Sequence, residues 1–149
     1  YKKYIFENDD AAAREIMTAA NYAGRAINIT QTTAAHAMSY KITSLYKIPH
    51  GAAVAVCLPE VWEYMLAHPE KCIDPRGIAY LTKTLSEISV DLDWFKALLA
   101  ELEAEYPKTT DREKEISVLA ESVNPVRLKN FPTELTADVL KKMYERIVK

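Results

Sequence analysis

The amino-acid sequence predicts an all-α fold, and three observations carry that prediction. Alanine, leucine, glutamate and lysine are abundant, and glycine occurs only at Gly24, Gly51 and Gly77. The strict alternation of apolar and polar residues that marks a half-buried strand is nearly absent. Capping residues or prolines punctuate the helix-compatible stretches. Six to eight helices, joined by short polar or proline-bearing turns, are expected to pack as one compact multi-helix bundle. At 149 residues the chain suits a single domain, 1–149, large enough to bury a core without disulfide or metal staples.

The elements follow in order. Asp9 or Asp10 can cap a first helix running from Ala11 toward Ala26, on which Ile16, Ala19, Ala20, Ala23 and Ile27 form an inward stripe. Thr32 or Thr33 can cap a helix over Ala34 to Leu45. Pro49 ends that run, because proline lacks an amide proton and clashes with the preceding turn. A second, deeply buried helix can then start at the small apolar stretch Gly51 to Val56, so two helices meet at a corner. His68, followed by Pro69 after Trp62 to Ala67, reads as an exposed helix end. Asp74 and Pro75 read as the cap and first position of a helix through Leu85. Asp91 can cap another through Tyr106, which Pro107 ends. Thr110 and Glu113 have capping-box spacing for Asp111 to Ser122, and Thr136 can cap a closing helix to Val148.

Composition excludes several classes of function. Nineteen basic residues stand against 21 acidic ones, a net charge of −2. Interspersed as they are, these charges create no field that would gather nucleic acid or anionic lipid. The longest apolar run, Gly51 to Pro59, falls far short of the roughly 18 residues that span a bilayer. No secretory succession opens the chain, so a cytoplasmic protein is expected. Cys57 and Cys72 are too far apart for a Cys-x-x-Cys pair and read as free thiols, Cys57 within the core. The run Asp111-Arg112-Glu113-Lys114-Glu115 alternates in sign and reads as a solvated helix face. No internal repeat, low-complexity segment or glycine-rich phosphate loop occurs.

Chemistry concentrates at His36-Ala37-Met38-Ser39-Tyr40 and Ile48-Pro49-His50-Gly51. A corner at Pro49 can bring His36 and His50, fourteen positions apart, into one cavity. Neutral imidazole is the commonest protein ligand for a mid-series divalent metal, and three or four ligands make a site, so these two supply half of one. Against this stands the ordinary role of a histidine on an apolar helix face, a hydrogen-bonded core residue. Spacing alone leaves both open.

Longer segments carry a resemblance. Ala23-Gly24-Arg25-Ala26-Ile27-Asn28-Ile29-Thr30, then Thr32 through Tyr40, Ile48 through Ala55, and Leu58-Pro59 together resemble the iron-containing alcohol dehydrogenase family, in order and in histidine interval. Ser122 through Pro132 resembles that family's segment before its last helix. The resemblance covers nearly all of this chain, while the chain covers less than half of such an enzyme. It implies that His36 and His50 are the two later ligands of the catalytic metal, Fe(2+) or Zn(2+). Two earlier ligands, an aspartate and a histidine, have no counterpart here. Tyr40 stands where many members carry a histidine near the substrate, which makes it a substrate-binding candidate that departs from the family pattern. The segments His36 through Thr43 and Val56 through Pro59 resemble most the branch that reduces phosphonoacetaldehyde.

The resemblance further implies an N-terminal nucleotide-binding domain for NAD(H) or NADP(H), absent from a chain that opens at Tyr1 without an initiator methionine. No residue here is then assigned a catalytic or cofactor-binding role. The implied function is the metal-binding domain of an alcohol dehydrogenase or aldehyde reductase acting on a small-molecule aldehyde or alcohol, with the isolated chain inactive. The missing domain is the expected partner, neither nucleic acid nor membrane is, and a homo-oligomer stays open. The rival reading is a non-catalytic helical interaction or scaffold module. A dehydroquinate-synthase-like lyase is disfavoured by the histidine interval.

Overall fold

The computed structural model describes residues 1–88 and 90–149. Among the described residues there are nine α-helices, one turn of 3₁₀ helix and a single isolated β-bridge, so the fold is all-α. None of the helices among the described residues is long and apolar enough to cross a membrane. The count exceeds the six to eight expected, because two short helices carry too few residues to show a periodic pattern. The chain divides into two compact units, Tyr1–Thr32 and Thr33–Lys149.

The first unit holds α1 (Lys2–Glu7) and α2 (Asp10–Thr30). Asn8 takes a left-handed conformation that ends α1, and the Asp9 carboxylate then accepts from the amides of Ala11 and Ala12, as its type predicts for an N-cap. The expected inward stripe is not buried. Ile16 is half-buried, and Ala19, Ala20, Ala23 and Ile27 are exposed. Within this unit a six-residue α1 cannot cover a 21-residue helix, which is several times its length.

The second unit is organised around α3 (Ala34–Tyr46) and α4 (His50–Ala67), the most closely associated pair of elements. Ala34, Ala35 and Ala37 are buried, and such small side chains let the backbone of α3 come close to its neighbours. Met38 and Ile42 on α3 join Ala53, Val56, Cys57 and Val61 on α4 in the core. The link between the helices is three residues long. Lys47, at φ 61°, ends α3 in the left-handed region, Ile48 is buried, and Pro49 at ψ 138° serves as the N-cap of α4. Helix α4 continues through Pro59, whose missing amide leaves the carbonyl four residues before it without its usual helical donor.

Four further helices and a short one surround this pair. They are α5 (Gly77–Glu87), α6 (Leu92–Glu101), α7 (Arg112–Glu121), α8 (Pro125–Leu128) and α9 (Ala137–Ile147). Helix α9 packs against α4 and α7, and its Leu140, Met143, Tyr144 and Ile147 are buried on one face. Tyr144 is fully buried and donates its hydroxyl to the Met38 carbonyl at 2.8 Å, tying α9 to the middle of α3. Burial pushes the Tyr144 phenol far above its ordinary pKa, so it stays a donor. The chain end is tied down by Lys149, whose amide donates to Pro107 and whose carbonyl accepts from Thr109.

Several caps differ from expectation. Asp74 does not start a helix. Its carboxylate is taken by the Arg76 guanidinium and amide at 2.8 to 3.0 Å, which delays α5 to Gly77. Asp91 does cap α6, accepting from the Trp94 amide, yet α6 stops at Glu101 rather than Tyr106. Glu103 adopts φ 51° there, and the amides of Glu103 and Ala104 reach back to Ala100 and Leu99, a closed C-terminal motif. The Thr110 and Glu113 capping box does not form: Thr109 accepts from the Asp111 amide instead, and α7 begins at Arg112. Thr136 caps α9 through the Val139 amide as expected. His68 ends α4 and bonds Glu70, outside the core.

Three measurements check this fold. Removing the buried hydroxyl in Tyr144→Phe is expected to lower unfolding stability by about 1 kcal/mol in chemical denaturation, the value of one buried hydrogen bond. Cys57 is fully buried and its thiol is pushed far above the ordinary range, whereas Cys72 is half-buried. A thiol reagent should therefore modify Cys72 in the native protein and Cys57 only after denaturant is added; prompt labelling of Cys57 would contradict the packing of α4. The Arg76 side chain, then its amide, hold the Asp74 carboxylate down to about 2. A carboxylate lowered on folding stabilises above its unfolded pKa of about 3.9, so this contribution is lost as pH falls from about 4 through 2. A carboxyl NMR titration of Arg76→Ala should return Asp74 toward the ordinary value.

Candidate metal centre

The corner between α3 and α4 delivers both sequence-predicted histidines to one place. His36 lies on the first turn of α3, and His50 is the first residue of α4. Their rings are 5.3 Å apart at the centroids, and His50 Nε2 lies 3.3 Å from His36 Nδ1. Both residues are half-buried. Two nitrogens that each sit about 2.1 Å from one ion at a roughly tetrahedral angle are separated by about this distance, so the spacing fits two ligands of one cation. It equally fits an N–H to N hydrogen bond between neutral rings.

Hydrogen bonding orients the second ring. Ser39 is fully buried and donates its one hydroxyl proton to the His36 carbonyl at 2.9 Å. Its oxygen can then only accept from His50 Nδ1, which lies 3.4 Å away. The proton of a neutral His50 is thereby placed on Nδ1, and its Nε2 lone pair is left facing His36. Burial first, then His50 and the Arg127 cation, lower the His36 pKa from its usual value, which keeps that imidazole neutral near pH 7. Neutral imidazole is the form that binds metal.

Tyr40, the sequence-predicted substrate residue, is four positions along α3 from His36. Its ring stacks on His50 at 5.2 Å with only 17° between planes. Arg127 covers the other end of this assembly. Its guanidinium lies 4.8 Å from the Tyr40 ring centre and donates to the Tyr40 hydroxyl at 2.9 Å. The short helix α8 sets this position: Asn124 accepts from the Val126 amide, Pro125 supplies the preformed first turn, and α8 packs against α3.

Sequence reasoning did not single out Ser39 or Arg127. Ser39 was findable, since it follows His36 by three residues and shares its helix face. Arg127 is 87 positions from Tyr40 and gave no local signal. Among the described residues, no group of three or more His, Cys, Asp or Glu side chains is gathered to hold a metal ion. The chain therefore offers two imidazoles and a polar rim, a donor set that suits a metal as half of its ligands.

Comparison with known proteins places the chain among relatives. Residues 1–148 match the model of the Fe-containing alcohol dehydrogenase family, C-terminal part. The chain is 39% identical over 85 residues to phosphonoacetaldehyde reductase of Streptomyces viridochromogenes, covering 56% of this chain and 22% of that protein. It is 45% identical over 64 residues to 1,3-propanediol dehydrogenase of Citrobacter freundii, covering 42% of this chain and 16% of that protein. A methanol:N,N-dimethyl-4-nitrosoaniline oxidoreductase of Rhodococcus erythropolis is 36% identical over 66 residues, covering 44% and 16%. The chain thus spans less than a quarter of the length of these relatives. With an all-α fold and a family match that runs from the first residue to the penultimate one, the chain belongs to the Fe-containing alcohol dehydrogenase family.

Proposed function

We propose that this chain is the metal-binding helical part of an NAD(P)-dependent alcohol dehydrogenase working as an aldehyde reductase, with His36 and His50 as two of the metal ligands. The observation that carries this reading is the 3.3 Å approach of His50 Nε2 to His36 Nδ1 at the α3–α4 corner. The remaining ligands and the nicotinamide site belong, on this reading, to a nucleotide-binding domain N-terminal to the chain. The name of the Streptomyces relative supports phosphonoacetaldehyde as the aldehyde.

The chain's own residues have separable roles. His36 and His50 would hold the ion, Fe(2+) or Zn(2+), through the facing nitrogens His36 Nδ1 and His50 Nε2. Ser39 holds His50 in the tautomer whose Nε2 is available, a supporting contact of the kind that tunes ligand basicity. A divalent cation held there would supply Lewis acidity toward the aldehyde carbonyl. Tyr40 walls the site on the His50 side, and its hydroxyl accepts from Arg127. His36, its pKa lowered by burial, would not need to shed a proton to bind the ion if it carries its single proton on Nε2.

With half of its ligands the isolated chain is expected to bind metal weakly and to show no turnover with aldehyde and NAD(P)H. Titration with Co(2+), followed by its visible absorption, should reveal one weak site. His36→Ala and His50→Ala should each weaken it by about tenfold or more, and Ser39→Ala by about tenfold. A second reading, a non-catalytic helical module, draws on the same contact, since a hydrogen bond between the rings satisfies both without a metal. Co(2+) affinity unchanged by either histidine substitution would favour that module and sink the enzyme reading.

A further inference from the structure

We infer that Arg127 is a substrate-binding residue that selects an aldehyde carrying an anionic phosphonate group, holding that group at the rim of the histidine pair. The inference rests on the reading that the corner is an aldehyde site, and it adds the residue that would recognise the substrate's charge. Three observations lead to it.

First, Arg127 is an exposed cation, and none of the ion pairs among the described residues engages it. Arg76 and Arg146, by contrast, are each committed to a carboxylate. Second, it is nevertheless held in place: one Nη donates to the Tyr40 hydroxyl at 2.9 Å, and the guanidinium lies against the Tyr40 ring at 4.8 Å. That anchoring uses one N–H of five and reduces the entropy lost on binding a ligand. Third, the guanidinium, the Tyr40 ring and the His50 ring follow one another in contact, so the cation stands one aromatic ring away from the imidazole that faces His36.

The remaining N–H groups match the paired oxygens of a phosphonate, which guanidinium binds through two parallel hydrogen bonds. A neutral aldehyde offers such a donor a single carbonyl acceptor and no charge. A carboxylate at this rim would have neutralised the cation, and a lysine would have lacked both the planar stacking and the fork. Tyr40 therefore does two things at once: it walls the histidine pair and carries the arginine that reads the far end of the substrate.

The test uses methylphosphonate and its uncharged dimethyl ester as probes on the metal-free chain, with the ring protons of Tyr40 and His50 followed by NMR. Methylphosphonate should shift these signals saturably, while the ester should not. Arg127→Gln should weaken methylphosphonate by about tenfold, as expected for one lost charge-assisted contact, and Arg127→Lys should retain part of the affinity. The thermal unfolding of both variants should match that of the parent, since the side chain is exposed. Equal methylphosphonate binding by the parent and Arg127→Gln, or no saturable shift at Tyr40 in the parent, would overturn the assignment. Co(2+) titration of the same samples keeps the two ideas apart. Intact Co(2+) binding with no phosphonate discrimination removes the role of Arg127 alone, whereas phosphonate binding without Co(2+) binding at the histidines removes the metal reading alone.

Discussion

The three-residue link Lys47-Ile48-Pro49 is the constraint on which the second unit depends. A left-handed residue, a buried isoleucine and a proline N-cap turn the chain sharply between α3 and α4. Lysine in the left-handed region is strained relative to glycine by roughly 1 kcal/mol, and Pro49 offsets part of this by losing little backbone entropy on folding. The link fixes more than a crossing of helices. It puts His50 at the first position of α4 and within reach of the first turn of α3, so the two imidazoles meet as a direct result of the turn. A longer or looser link would leave each ring to find its own partner.

Packing holds that corner from behind. Alanines on α3 allow close approach, Met38 and Ile42 fill the space toward α4, and Tyr144 reaches from α9 to the backbone of Met38. Met38 lies between His36 and Tyr40 in sequence but on the opposite side of the helix, so the same short stretch anchors the core with one face and presents the site with the other. A substitution that opens the core at Met38 would cost about 2–5 kcal/mol and would also let the histidine-bearing turn relax. Stability and the geometry of the site are therefore coupled through one and a half turns of α3.

What was legible in the sequence follows the range of the interaction. Helical content, the Asp9, Asp91 and Thr136 caps, the break at Pro49 and the approach of His36 to His50 all depend on residues a few positions apart, or on a spacing that a resemblance fixed. The errors arose where a local signal had a nearby competitor. Arg76 captured the Asp74 carboxylate, Thr109 satisfied the Asp111 amide ahead of Thr110, and a left-handed Glu103 closed α6 early. Arg127 shows the other limit. It meets Tyr40 only because α8 docks on α3, and no periodicity in the chain encodes that docking.

The histidine pair stands at the edge of the packed core. The core behind the corner is apolar, and the polar groups at the corner satisfy one another through Ser39 and the ring-to-ring contact. Two imidazoles held this way present a preformed edge at little further entropic cost.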